Sequence, residues 1–314
     1  MKKILITAAA IVALTSCSKE ETMDLGNSNV IQFANLNNRP TRAANDASSS
    51  YQVYAKWTGS TSGWYINDVI NGMTNDPQGG THYWPTTGTV DFYSWAPATV
   101  TAATSTYPDL SITYTVPAGA NEDFTIAEPI LNATKASTGV VNFQFAHMLS
   151  KVTISVDLTD ELKSAGYSVS FTGGTASLLV NATTATINPM TTPFSWGARS
   201  GVQTTYTGSA TSGSVPFMIM PQNSIGCEIQ VLSGVVITKD VNTAVYNGGL
   251  STYTIAASDI QTDAFVPGKL YNVKLIISDL STDPGGENIF GDQIIFSADV
   301  NTWTTGSDIP LTQP

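Results

Sequence analysis

The chain has 314 residues, of which only 12% are Asp, Glu, Lys or Arg, about half the roughly 25% usual in globular proteins. A hydrophobic share of 42% with 9% aromatics excludes disorder and supplies a sizeable core. Five of the 13 basic residues (Lys2, Lys3, Lys19, Arg39, Arg42) fall in the first 42 positions; from Ala43 onward 8 basic residues face 21 acidic ones, a net of −13, which repels phosphate backbones and excludes nucleic acid as a partner.

Met1 to Cys17 reads as an export signal, residues 1–16 being the part removed. Lys2 and Lys3 form the charged start, and Ile4 to Leu14 is an apolar stretch of 11 residues, too short for a bilayer that needs about 20. The stretch ends in Leu14-Thr15-Ser16-Cys17, which resembles the bacterial lipobox. That resemblance implies cleavage between Ser16 and Cys17, diacylglycerol on the Cys17 sulfur and acylation, palmitate included, of the new amino terminus. Several acyl chains on one residue give stable anchoring. Cys17 being lipidated, Cys227 has no partner and reads as a small buried apolar residue.

Val30 to Leu36 (VIQFANL) reads as a short strand with Ile31 and Phe33 on one face and Val30, Ala34 and Leu36 on the other. Asn37 to Ser50 is a loop rich in Asn, Ser and Ala. Beyond it, alternation with period two dominates. Val140 to His147 sets Val141, Phe143, Phe145 and His147 on one face; Lys151 to Val156 sets Val152, Ile154 and Val156 inward; Tyr271 to Ile277 repeats the pattern; Ile294, Phe296, Ala298 and Val300 share a face near the end. Turn clusters at Asn75 to Gly80, Thr172 to Gly174, Asn247 to Gly249 and Asp283 to Gly286 punctuate these runs. Helix is scarce, with Asp160 to Ala165 able to make a turn or two as an exposed connector. The expectation is all-β, antiparallel sheets packed as two tandem sandwiches over residues 43–158 and 159–314.

The chemistry of catalysis is scarcely represented. His147 lines up with Phe143 and Phe145, as a core or edge histidine does, and His82 sits beside a turn as a surface residue. No HExxH, CxxC or GxSxG occurs, so neither a metal, a cofactor nor a catalytic residue is expected. The acidic turns lack EF-hand spacing. Trp57, Trp64, Trp84 and Trp95 crowd into about forty residues; exposed, they would stack on sugars, and buried they are core. The exposed case gives an alternative function, a surface glycan-binding lipoprotein of a polysaccharide-uptake system.

The lipobox at Cys17, the FQFAHMLSKVTISV stretch from Phe143 to Val156, PGKLYNVKLII from Pro267 to Ile277 and VNTWTTGSDIPL from Val300 to Leu311 together resemble the fimbrillin family of Bacteroidetes lipoproteins, subunits of type V pili. The resemblance implies two transthyretin-like β-sandwiches and no enzymatic activity. It also implies a route: passage to the outer membrane as a lipoprotein, and removal of a propeptide (residues 17–42) with its first strand by an Arg-specific protease. A strand from another subunit then fills the vacated groove, and the finished fimbria adheres to a host or bacterial glycan or protein. Arg39 precedes Pro40, a poor scissile bond, so cleavage is expected between Arg42 and Ala43. The displaced strand is Val30, Ile31, Phe33, Ala34 and Leu36. About four buried apolar side chains would hold it with roughly 6 to 12 kcal/mol. The donor candidates are the run carrying Ile294, Phe296, Ala298 and Val300 and the tail carrying Ile309 and Leu311. Stalk, tip and accessory positions all remain open.

Overall fold

The computed structural model describes residues 29–35, 50–118, 122–240, 243–250, 252–256, 259, 264–278 and 280, and the backbone of 294–302. The first half contains β1 (Gln32–Asn35), β2 (Tyr51–Trp57), β3 (Ile66–Ile70), β4 (Val90–Ala96), β5 (Ile112–Thr115) and β6 (Thr125–Ala133). A single turn of helix α1 (Lys135–Thr138) follows, then β7 (Val140–Phe143) and β8 (Phe145–His147). After β9 (Ser150–Leu158) and helix α2 (Asp160–Ser164) come β10 (Tyr167–Val180), β11 (Thr184–Ile187), β12 (Arg199–Ser200), β13 (Thr204–Ser209) and β14 (Ser214–Ile219). The chain continues through β15 (Gln222–Asn223), β16 (Glu228–Lys239), β17 (Thr243–Gly248), β18 (Tyr253–Thr254), β19 (Ala264–Phe265), β20 (Lys269–Ile277) and β21 (Ile294–Thr302). The all-β architecture expected from composition and alternation is thus the one observed.

Five strands in the order β3-β2-β4-β6-β8 form the first sheet. Because side chains alternate across a strand, Tyr51, Val53 and Ala55 of β2 and Val90 and Phe92 of β4 enter one core, while Tyr54, Tyr93 and Trp95 enter another. The sheet is therefore covered on both faces. Downstream, β14-β9-β20-β21 faces β13-β10-β16-β17. Val152 and Ile154, Tyr271, Val273, Leu275 and Ile277 meet Leu178, Val180, Ile229, Val231 and Ile237 in a sandwich core. The small sheet β12-β11-β5 joins the halves, with Thr113 to Thr186 and Thr115 to Thr184 hydroxyl pairs across β5 and β11 at 3.1 and 2.8 Å.

Three details depart from the sequence reading. Val140 to His147 is two strands, split at Gln144: β7 pairs with β1 and β8 with β6, so Val141 and Phe143 are buried while Phe145 and His147 are half-buried. Two pairings, β1 with β7 and β9 with β20, are parallel. Thr172 to Gly174 is a bulge inside β10, not a turn; it is tolerated because Gly174 and Gly234 pass so close that a Cβ on Gly234 would stand 2.2 Å from the Gly174 Cα. Strand β9, which precedes helix α2, pairs among the described residues with the downstream strands β14 and β20.

Candidate functional site: a strand seated in a slot

The short upstream strand sits in the first core. Its residues alternate as the sequence predicts: Ile31 and Phe33 are 2% and 4% exposed, and Val30, Gln32 and Ala34 are half-buried. The Phe33 ring stacks on Phe143 at 6.3 Å and meets Phe92 edge-on at 6.3 Å. Tyr51 meets Phe143 edge-on at 5.8 Å, and Trp84 closes the same core against Phe92. Among the described residues of the segment two large side chains are deeply buried, and together they contribute about 3 to 6 kcal/mol. Gln32 carries a cost as well, since its Oε1 is buried with no hydrogen-bond partner among the described residues.

Two backbone walls flank the segment. On one side β7 runs parallel to it in the register Gln32 with Val140 through Asn35 with Phe143. On the other, residues 82–84 bridge it antiparallel: Ile31 N donates to His82 O at 2.8 Å and Trp84 N donates to Asn29 O at 2.7 Å, around a Val30 to Tyr83 bridge. Lys135 Nζ adds a bond to Asn29 Oδ1 at 3.3 Å. The Tyr51 phenol beneath, held by Asn75 Oδ1 at 3.2 Å, has its pKa raised well above the usual tyrosine range by burial.

His82, expected at the surface, is anchored. Its Nε2 donates to Asp68 Oδ2 at 2.8 Å, and Asp68 is 7% exposed. That carboxylate also accepts Val69 N at 2.7 Å and Gly79 N at 2.8 and 3.0 Å. Nothing in the sequence flagged Asp68; the one available signal was an Asp at an inward position of an alternating strand. His147, half-buried as a residue, is paired through Nδ1 with Asp123 at the junction of β8 with β9, the two side chains being 10% and 7% exposed.

The tryptophans make no solvent-facing row. Trp84 and Trp95 are buried. Trp57 lies under Gly59, whose Cβ would stand 2.3 Å from the indole, and donates to Thr87 O at 2.8 Å. Trp64 is ringed by Tyr54, Tyr93 and Tyr107. Cys227 is buried and free, its thiol pushed up to about 11 by burial.

Ser16, Cys17, Leu36, Arg42, Ala43, Ile309 and Leu311 lie outside the described residues. Of the donor candidates, Ile294, Phe296, Ala298 and Val300 fall on β21, an edge strand whose nine residues pair antiparallel with β20. Among the described residues no group of three or more His, Cys, Asp or Glu is placed to hold a metal ion, and no helix is long and apolar enough to cross a membrane.

The sequence profile described as fimbrillin-like matches residues 37–303. A search of curated proteins finds no match. Among solved structures, a candidate cell adhesion protein from Bacteroides uniformis aligns with a TM-score of 0.58 at 17% identity, over 88% of this chain and 100% of the other. A second, from Bacteroides ovatus, aligns with a TM-score of 0.49 at 12% identity, over 90% and 99%. The first of these shows a shared fold.

Proposed function

This chain belongs to the fimbrillin-like family, and we propose that it serves as a non-enzymatic structural subunit (stalk, tip or accessory) of a cell-surface adhesive fimbria. In this reading it is exported as an outer-membrane lipoprotein through Cys17 and assembled by strand exchange after proteolysis at Arg42. The observation that carries the reading is the seating of Ile31 and Phe33. They belong to a segment upstream of the expected cleavage point, yet both are buried members of the first core. Residues 36–49 are the sole covalent tie between that strand and β2.

The energetics support a proteolytic trigger. While tied, the strand competes at an effective concentration of the order of millimolar or more, and a second subunit's strand cannot displace it. Once it is cut, about 3 to 6 kcal/mol of burial, offset by the ordering cost of roughly 1 kcal/mol or more per residue, leaves the strand only weakly held. The vacated slot then offers open backbone groups on two sides, the condition for strand addition.

Donation favours the C-terminal tail over β21. Withdrawing β21 would unpair it from β20 along its whole length, whereas Ile309 and Leu311 repeat the spacing of Ile31 and Phe33. The partners are accordingly other fimbrial subunits, an Arg-specific protease and the lipid surface before maturation. Glycan binding through stacked tryptophans is disfavoured, because all four are engaged in packing.

The test is to digest purified precursor with an Arg-specific protease, sequence the new amino terminus and follow assembly. Cleavage after Arg42 and SDS-resistant ladders are expected. Cleaved protein that stays monomeric alone and with partner subunits refutes the reading.

A further inference from the structure

The wall formed by residues 82–84 has a problem that β7 does not share. Strand β7 leads directly into β8, itself paired with β6 of the first sheet. Residues 82–84 belong to no strand, and two of their backbone groups, His82 O and Trp84 N, are satisfied by β1's own segment. When that segment leaves, the wall loses these partners, and a slot with one loose wall is a poor acceptor.

Asp68 supplies the missing anchor. From the inward face of β3 its carboxylate grips the chain just before the wall, through both oxygens to Gly79 N, and grips the wall itself through His82 Nε2. Hydrogen bonds to an ionised, buried acceptor are the strong kind, and none of these three bonds involves β1. Gly79 is required for the grip, since a Cβ there would stand 2.9 Å from both carboxylate oxygens. The Tyr65 hydroxyl, which donates to Tyr83 O, and the Trp84 ring against Phe92 add support without charge. We infer that Asp68 is a positioning residue: with Gly79 and His82 it forms a clasp that holds residues 82–84 in strand-ready geometry after β1 has gone, so that the incoming strand meets a preformed slot. The inference rests on the displacement reading above and adds to it a residue that sets how fast the empty subunit accepts a strand.

Preorganisation predicts a kinetic signature. With the clasp broken, the empty wall must be ordered during binding, which slows association. Once a strand is seated, its own backbone bonds hold the wall, so dissociation changes little. The full chain, with a protease site inserted within residues 36–49, is cut and freed of its upstream fragment. It is then mixed with a fluorescent peptide of residues 29–36 (NVIQFANL), and anisotropy gives both rates.

For Asp68→Asn, which turns one accepting oxygen into a donor facing Gly79 N–H, association is expected to fall at least tenfold and dissociation to change less than threefold. Gly79→Ala gives the same split by an independent route. Equal association rates in wild type and variants, or a loss seen only in dissociation, overturn the inference while leaving displacement standing. Wild-type chain that neither releases its fragment nor takes up peptide sinks the displacement reading and the clasp with it. Should both variants fail to fold, hydrogen exchange on emptied wild type decides. Protected Gly79 and Val69 amides support the clasp, and exchange at unprotected rates overturns it.

Discussion

Replacing Phe33 by Ala should unseat the upstream strand without unfolding the protein. Phe33 is 4% exposed and touches the rings of Phe143 and Phe92. Truncating such a side chain costs about 3 to 5 kcal/mol, comparable to the whole burial contribution of Ile31 and Phe33 together. The loss falls on contacts confined to the first core, and the downstream sandwich core contains neither residue. At about 1.4 kcal/mol per decade, local opening of residues 29–35 should rise by roughly 10²- to 4 × 10³-fold. Native-state hydrogen exchange reads this directly, because the Ile31 and Trp84 amides are bonded across the slot and should lose protection by that factor. Amides in β9 and β20, such as those of Ile154 and Val273, should keep theirs. Equal protection of Ile31 and Trp84 in variant and wild type would refute the view that Phe33 holds the strand.

Cys17→Ser should abolish incorporation of labelled palmitate and move the protein out of the membrane fraction; continued labelling would remove Cys17 as the lipid site. Arg42→Ala should leave the precursor uncut by an Arg-specific protease whereas Arg39→Ala is processed normally, and amino-terminal sequencing separates the two. Stability should fall as pH rises from about 9 towards 12. Burial raises Cys227 from 9.0 to about 11 and Tyr93 and Tyr206 from 10.0 to about 12, so the unfolded chain releases these protons first and is favoured. Denaturant titrations across that range that show constant stability would contradict it. Gly234→Ala should lower the melting temperature by several degrees, since residue 234 has φ +84 and its Cβ would strike the Gly174 Cα; an unchanged melting curve would show that the bulge relaxes freely.

Much of this arrangement was legible in the residues. The alternation of Ile31 and Phe33, of Val152 and Ile154, and of Tyr271 through Ile277 fixes which side chains turn inward, because a strand's two-residue period is a local property of its backbone. The same rule misled at Val140 to His147, where Gln144 interrupts the ladder and the chain changes partners without any local mark. Thr172 to Gly174 looked like a turn because glycines signal irregular backbone, and only the approach of Gly234 shows that the irregularity is a bulge. Asp68 carried no motif, since its significance lies in Gly79 and His82, whose amide and imidazole converge on it from 11 and 14 residues away.

The sequence by itself determined the class of fold, the acidic surface and the apolar face of the upstream strand, all of which follow from composition and nearest-neighbour geometry. Tertiary structure alone decided that this strand runs parallel to β7, that residues 82–84 form its second wall, and that a buried carboxylate steadies that wall. Those features depend on which distant segments meet, and pairing partners are set by the closure of long loops around a shared core rather than by any residue's own preference.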